Sequence, residues 1–133
     1  IVSIRAATTI ESTLVETVNY TKGREAFGKT IFGFQNTRFK LAETKTQATV
    51  VRLLVDKCLE LHMIGQLSAD DAAIAKLYST ETMCSVLDDC LQLFGGYGYM
   101  WEYPIARAWA GQRVARIAGG SSEIMKEIIS RTL

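Results

Sequence analysis

The sequence predicts an all-α fold: an up-and-down helical bundle with three long helices and two shorter ones. Three observations carry this. Apolar residues recur at gaps of three and four over long stretches, which is the period of a helix. The single proline, Pro104, leaves almost the whole chain free to be helical. No segment alternates apolar and polar residues as a half-buried strand would. The 133 residues read as one domain, 1–133, large enough to bury roughly two-thirds of the surface its unfolded chain exposes.

Each element has its own signal. Ile4, Ala7, Ile10, Leu14, Val15 and Val18 form a first stripe over residues 1–22. Small Ala6 and Ala7 and a run of threonines (Thr8, Thr9, Thr13, Thr17) point to close packing. This helix is expected to stop at Lys22-Gly23, with Gly23 as a left-handed cap. Residues 24–34 hold two glycines and three aromatics without a period, the mark of a structured loop. Residues 35–64 carry one long stripe of Phe39, Ala42, Val50, Val51, Leu54, Val55, Cys58 and Leu61. A helix of about 30 residues is about 45 Å long and needs long partners, which is why a bundle follows. Gly65 stops it, and Ser68 with Asp71 three residues on is a capping-box-like start. The next helix runs to about Phe94 on Leu77, Met83, Leu87, Cys90, Leu91 and Phe94. Gly95-Gly96-Tyr97-Gly98-Tyr99 breaks it. Pro104 opens a short helix through Val114. After Gly119-Gly120-Ser121-Ser122, the residues Ile124, Met125, Ile128 and Ile129 mark a last amphipathic helix.

Composition excludes several classes. Fifteen Lys and Arg against fourteen Asp and Glu give a net charge of +1, too little cationic excess for a nucleic-acid or polybasic membrane binder. No apolar run approaches the roughly 20 residues that would span a bilayer. Three cysteines are an odd number without C-x-x-C spacing, and His62 is the only histidine. Neither a disulfide scaffold nor a zinc site is indicated, and a reducing compartment fits. The chain opens at Ile1 directly on a helical pattern, without a signal-peptide layout, and reads as part of a longer polypeptide.

Three segments could carry chemistry. Gly96-Tyr97-Gly98 hints at a dinucleotide turn, but it follows a helix and position 101 is Trp, so the fingerprint fails. The glycines still permit close backbone approach to a ligand. Arg24, Phe27 and Gly28 share a loop; Arg can take a phosphate with two prongs and Phe can pack on a flat ring, although a lone loop Arg is usually just solvated. Gly119 to Glu123 leads into a helix start, where N–H groups and the dipole favour anions. A plain cap by Ser121 or Ser122 explains the same residues, and spacing alone leaves both readings open.

The runs Arg24-Glu25-Ala26-Phe27-Gly28-Lys29, Gln35, Gln92-Leu93-Phe94-Gly95-Gly96-Tyr97-Gly98-Tyr99, Glu102-Tyr103-Pro104 and Gly119-Gly120-Ser121-Ser122-Glu123-Ile124 stand in a specific order. In them the chain resembles, over essentially its whole length, the C-terminal helical domain of the acyl-CoA dehydrogenases. That resemblance implies a flavoenzyme holding FAD and oxidising an acyl-CoA thioester to the trans-2-enoyl thioester. It implies electron-transfer flavoprotein as acceptor and a homo-oligomer, dimer or tetramer, with FAD across a subunit interface. It places the protein inside the cell, in the cytoplasm if bacterial or the mitochondrial matrix if eukaryotic. By position, Arg24 matches the arginine at the FAD diphosphate, and Phe27 the aromatic beside the adenosine. Gln35 matches a glutamine near the cofactor. Gln92, Gly95 and Gly96 match the run at the adenine end, and Ser121, Ser122 and Glu123 the contact at the last helix start.

The departures are specific too. Gly119 occupies the position of the catalytic glutamate of the medium- and short-chain enzymes and offers no base. The long-chain and isovaleryl-type pattern would put the base about three residues before Ile1. Residues 1–133 alone are therefore expected to be inactive. Ala118 stands where several members have Tyr, and Ala110-Gly111-Gln112-Arg113 replaces a common Arg-Asp-Ala-Lys/Arg run. Two other readings follow from the same residues: a catalytically silent helical assembly module, suggested by Gly119, and an acyl-CoA oxidase-like sibling.

Overall fold

The computed structural model describes all of residues 1–133. Five helices form: α1 Val2–Gly23, α2 Gln35–Met63, α3 Ala69–Leu93, α4 Pro104–Gln112 and α5 Ser122–Ser130. Helices α1, α2 and α3 each pack on the other two, and α4 and α5 lie against α3. The predicted bundle of three long and two shorter helices is the observed one. No helix is long and apolar enough to cross a membrane.

The core runs between the long helices through Ile10, Val51, Val55, Met83, Val86, Leu87, Cys90 and Phe94, with Ile105 of α4 closing one side. Threonines share it. Thr13, Thr17 and Thr21 of α1 and Thr37 and Thr44 of α2 are buried. Each of Thr17, Thr21 and Thr44 turns its hydroxyl onto the carbonyl four residues back, at 2.7, 2.8 and 2.9 Å. That local bond satisfies each hydroxyl within its own helix, which lets it sit in the core, and the Thr17 and Thr44 hydroxyls also lie beside the Cys90 thiol of α3. This corrects the stripe expected for α2. Its buried face is Thr37, Leu41, Thr44, Ala48, Val51 and Val55, while Phe39, Val50 and Ala42 are exposed. Val15 of α1 is likewise exposed. Threonines thus share the inward positions with Leu41, Ala48, Val51 and Val55, while Phe39 and Val50 are left outside.

Three boundaries also differ from expectation. Gly23 is not left-handed; α1 leaves through Arg24 in extended conformation (φ −91°, ψ 128°), because a strand starts at once. The segment expected to be a loop contains a two-stranded hairpin, β1 Glu25–Ala26 and β2 Lys29–Thr30, with Ala26 opposite Lys29. Helix α4 stops at Gln112, and residues 113–116 tighten into a 3-10 turn. The start of α3 is as expected: the Ser68 hydroxyl accepts from the Asp71 N–H at 2.9 Å.

Candidate functional site

Near the C-terminal end of α1, the start of α2 and the end of α3, an open groove of about 800 Å³ is lined by Arg24, Phe27, Gln92, Gly95 and Gly96. Its floor is aromatic. Tyr20 stacks on Phe94 at 4.0 Å, Tyr103 meets both edge-on, and Tyr97 stacks on Tyr103 at 5.1 Å. The Tyr20 hydroxyl also donates to the Phe94 carbonyl at 3.3 Å. These rings lock three chain segments together, so the polar residues above them stand on a rigid base.

The hairpin positions Arg24 and Phe27. Its two-residue turn is Phe27-Gly28 with φ of +53° and +80°, a type I′ geometry. A phenylalanine in the left-handed region is uncommon and costs of order 1 kcal/mol. This ring is 97% exposed, so nothing inside the chain repays the strain. Arg24 is exposed, with its guanidinium over the Tyr97 ring at 5.1 Å. Stacking fixes the plane of the fork while its N–H groups stay free for an anion. At the end of α3, Gly95 has φ +58°, and a Cβ at Gly95 or Gly96 would meet nothing within 4 Å. The backbone there is open to a ligand.

Gln35 does not line the groove, although Phe34 and Asn36 on either side of it do. The groove also uses groups that composition and spacing had not singled out: Tyr20, Phe34 and Met100. Their signal was present in the aromatic content of residues 20–34 and 94–103, but only the fold brings those stretches together.

Ser121, Ser122 and Glu123 form a separate group. They meet α3 at Lys76 and Glu81, and Glu81 lies twelve residues before Leu93, about 18 Å along the helix axis. Ser121 caps α5, its hydroxyl accepting from the Ile124 N–H at 3.4 Å. Ser122 is buried and donates to Glu81 Oε1 at 2.5 Å. The Arg116 guanidinium meets Glu81 Oε2 at 2.8 Å. Burial pushes the Glu81 carboxyl up, but the Ser122 hydroxyl and the Arg116 cation outweigh it and hold it below the usual range. The Glu123 carboxyl also lies low, through its own backbone N–H and Ser121. Lys76, buried, donates to the Gly120 carbonyl at 2.5 Å; burial lowers its pKa, against the pull of Glu81 and Glu123. Between these contacts Gly119 and Gly120 are both left-handed, at φ +66° and +96°. A Cβ at Gly119 would lie 3.8 Å from Val2 Cγ2, so the first turn of α1 packs beside it.

Lys76 and Glu81 were not anticipated. Lys76 sits in phase with the buried stripe Ala73, Thr80, Met83, Leu87 and Cys90, and a lysine in that register was the available signal.

Comparisons agree with this architecture. Residues 1–133 match the family model described as acyl-CoA dehydrogenase, C-terminal domain. The mitochondrial long-chain specific acyl-CoA dehydrogenase of Sus scrofa is 52% identical over 118 residues, 89% of this chain and 27% of the relative. The structure of an acyl-CoA dehydrogenase from Geobacillus kaustophilus superposes with a TM-score of 0.96 at 41% identity, over 98% of this chain and 34% of the other. The FAD complex of PigA gives a TM-score of 0.91 at 30% identity over 98% and 34%. The chain thus spans about a third or less of the length of the relatives it matches.

Proposed function

The chain belongs to the acyl-CoA dehydrogenase family, as a C-terminal domain, and from that premise we propose that it serves an FAD-dependent oxidation of an acyl-CoA thioester to the trans-2-enoyl thioester. The observation that carries this is the groove holding Arg24, Phe27, Gln92, Gly95 and Gly96 on an aromatic floor. Its donor set fits a flavin dinucleotide. Arg24 presents an oriented guanidinium for the diphosphate, Phe27 an exposed ring for a flat heterocycle, and the two glycines bare backbone for close approach. FAD, when bound, supplies the acceptor for the hydride that leaves the β-carbon.

The α5 group is assigned a second contact. Because it lies well away from the groove along α3, it reaches a different part of the cofactor, or the cofactor of a second copy in a homo-oligomer. Gln35, beside the groove rather than in it, is assigned to the same shared interface. Gly119 has no side chain, and its φ of +66° favours glycine over a glutamate. The α-proton is therefore taken by a carboxylate carried ahead of Ile1 on the α1 helix, whose first turn already packs beside Gly119. Electron-transfer flavoprotein is the acceptor, and the compartment is the mitochondrial matrix or a bacterial cytoplasm.

The test uses the full-length protein that carries this domain. It should purify with flavin, and anaerobic long-chain acyl-CoA should bleach the flavin absorbance. Arg24→Ala should lower flavin occupancy at least tenfold at limiting FAD while the helical circular dichroism is unchanged. A flavin-free protein, or one that no acyl-CoA bleaches, would sink the reading. Gly119 gives one reason to weigh a second reading, a catalytically silent assembly module. A flavin-binding protein with no carboxylate on the turn before Ile1 would favour it.

A further inference from the structure

One face of α3 holds the Gly119–Gly120 turn from below. Positions 73, 76, 80, 83, 87 and 90 form the buried stripe of this helix, and five of them are small or apolar side chains or a threonine. The sixth is Lys76, 7% exposed. A buried ammonium with a carbonyl rather than a carboxylate for its close partner is a poor way to gain stability; an apolar side chain at the same place would pack at lower cost. Its one hydrogen bond is to the Gly120 carbonyl, at 2.5 Å. Five residues along the same helix, Glu81 takes Ser122 at 2.5 Å and Arg116 at 2.8 Å. Residues on both sides of the turn, and the turn itself, are thus tied to α3. Within it, two consecutive left-handed glycines leave the backbone little intrinsic preference for one shape.

We propose that Lys76 is a positioning residue for the reaction: its bond to the Gly120 carbonyl, backed by the Glu81 contacts, holds the Gly119–Gly120 turn in one place against the first turn of α1. This rests on the dehydrogenase reading, in which that corner is where the substrate's α-carbon meets the base. Lys76 itself touches no reacting atom. It acts through the turn, whose displacement by an ångström would misalign the thioester.

Two readouts in the full-length flavoprotein test this, and only one depends on turnover. In Lys76→Met, amide hydrogen exchange at residues 117–122 should quicken at least tenfold while α1 and α2 keep their protection. In the same variant kcat should fall at least tenfold with KM and flavin content within twofold of wild type. Lys76→Arg should restore both to within about threefold. Glu81→Gln, a milder change at a half-exposed site, should quicken exchange in the same segment by a smaller factor and supplies the answer if Lys76→Met does not fold. Unchanged exchange at 117–122, or faster exchange spread evenly over the chain, would overturn the proposal. So would an unchanged kcat in Lys76→Met when the wild type is active. A wild type that oxidises no acyl-CoA defeats the dehydrogenase reading instead, and the exchange result then decides whether Lys76 holds the turn.

Discussion

Phe27 is the residue at which local preference and structure disagree most. Both residues of its turn have positive φ, and Asn-Gly is the pair that such a turn favours. Phe27→Asn should therefore raise stability by up to about 1 kcal/mol, read by urea denaturation, while lowering flavin occupancy. A gain in one with a loss in the other is the mark of a strained functional residue. Gly98 makes the opposite case. A Cβ there would lie 2.5 Å from the Leu91 carbonyl oxygen and 3.1 Å from Leu91 Cγ, so the backbone itself would have to move. Gly98→Ala should cost about 1–3 kcal/mol in the same assay. Both glycine runs were conspicuous in the sequence. Which glycine is there for packing and which stand in open space was not, because that depends on what lies within 4 Å.

At the scale of elements, the threonines decide how α1 and α2 pack. Thr17 is fully buried, its hydroxyl donates to the Thr13 carbonyl, and the same hydroxyl lies beside the Cys90 thiol of α3. Thr17→Val keeps the shape and removes a locally satisfied oxygen; it should change the melting free energy by less than about 1 kcal/mol. Thr17→Ser removes the methyl and should cost about 1 kcal/mol or more. The reverse order would mean that the hydroxyl, not the methyl, holds the contact. Helix lengths and the Ser68 start were legible because period and capping are local. The inward face of α2 was not legible. Threonine counts as polar on a sequence, and only its back-bonded rotamer lets the hydroxyl be buried. The hairpin at 25–30 was missed because two-residue strands have no periodicity to display.

Across the whole molecule, the clearest long-range ion pair joins α1 to α2. Arg52 donates to both oxygens of Glu11, from Nε and from a terminal nitrogen, each at 2.7 Å. The Arg52 hydrogen bond holds the Glu11 carboxyl below the usual range against a partial burial penalty. A carboxyl with a lowered folded pKa adds stability above its unfolded value, and that stability is lost as pH falls through the folded value. Both side chains are about a third or more exposed, so the pair contributes only about 0.5–1 kcal/mol. Glu11→Gln should flatten the loss of stability between about pH 5 and pH 3 by that amount and leave the slope above pH 6 alone. Stability curves measured at four or five pH values check this. Glu81 and Glu123 are lowered as well and keep part of the acid sensitivity in the variant.

By itself the sequence determined the all-α class, the number and approximate extent of the helices, the family resemblance and, through it, five residues of the groove: Arg24, Phe27, Gln92, Gly95 and Gly96. These follow from period, caps and short contiguous motifs, all of which are properties of neighbouring residues. Tertiary structure decided the rest. It gathered Arg24, Phe27, Gln92, Gly95 and Gly96 over rings drawn from three segments, and it left Gln35 outside their groove. It set Ser121 to Glu123 apart from the groove, at the start of α5 against α3, and brought Lys76 to a carbonyl 44 residues away. Such pairings depend on the rotation of each helix about its own axis, and that rotation is set by packing between helices, which no single stretch of chain records.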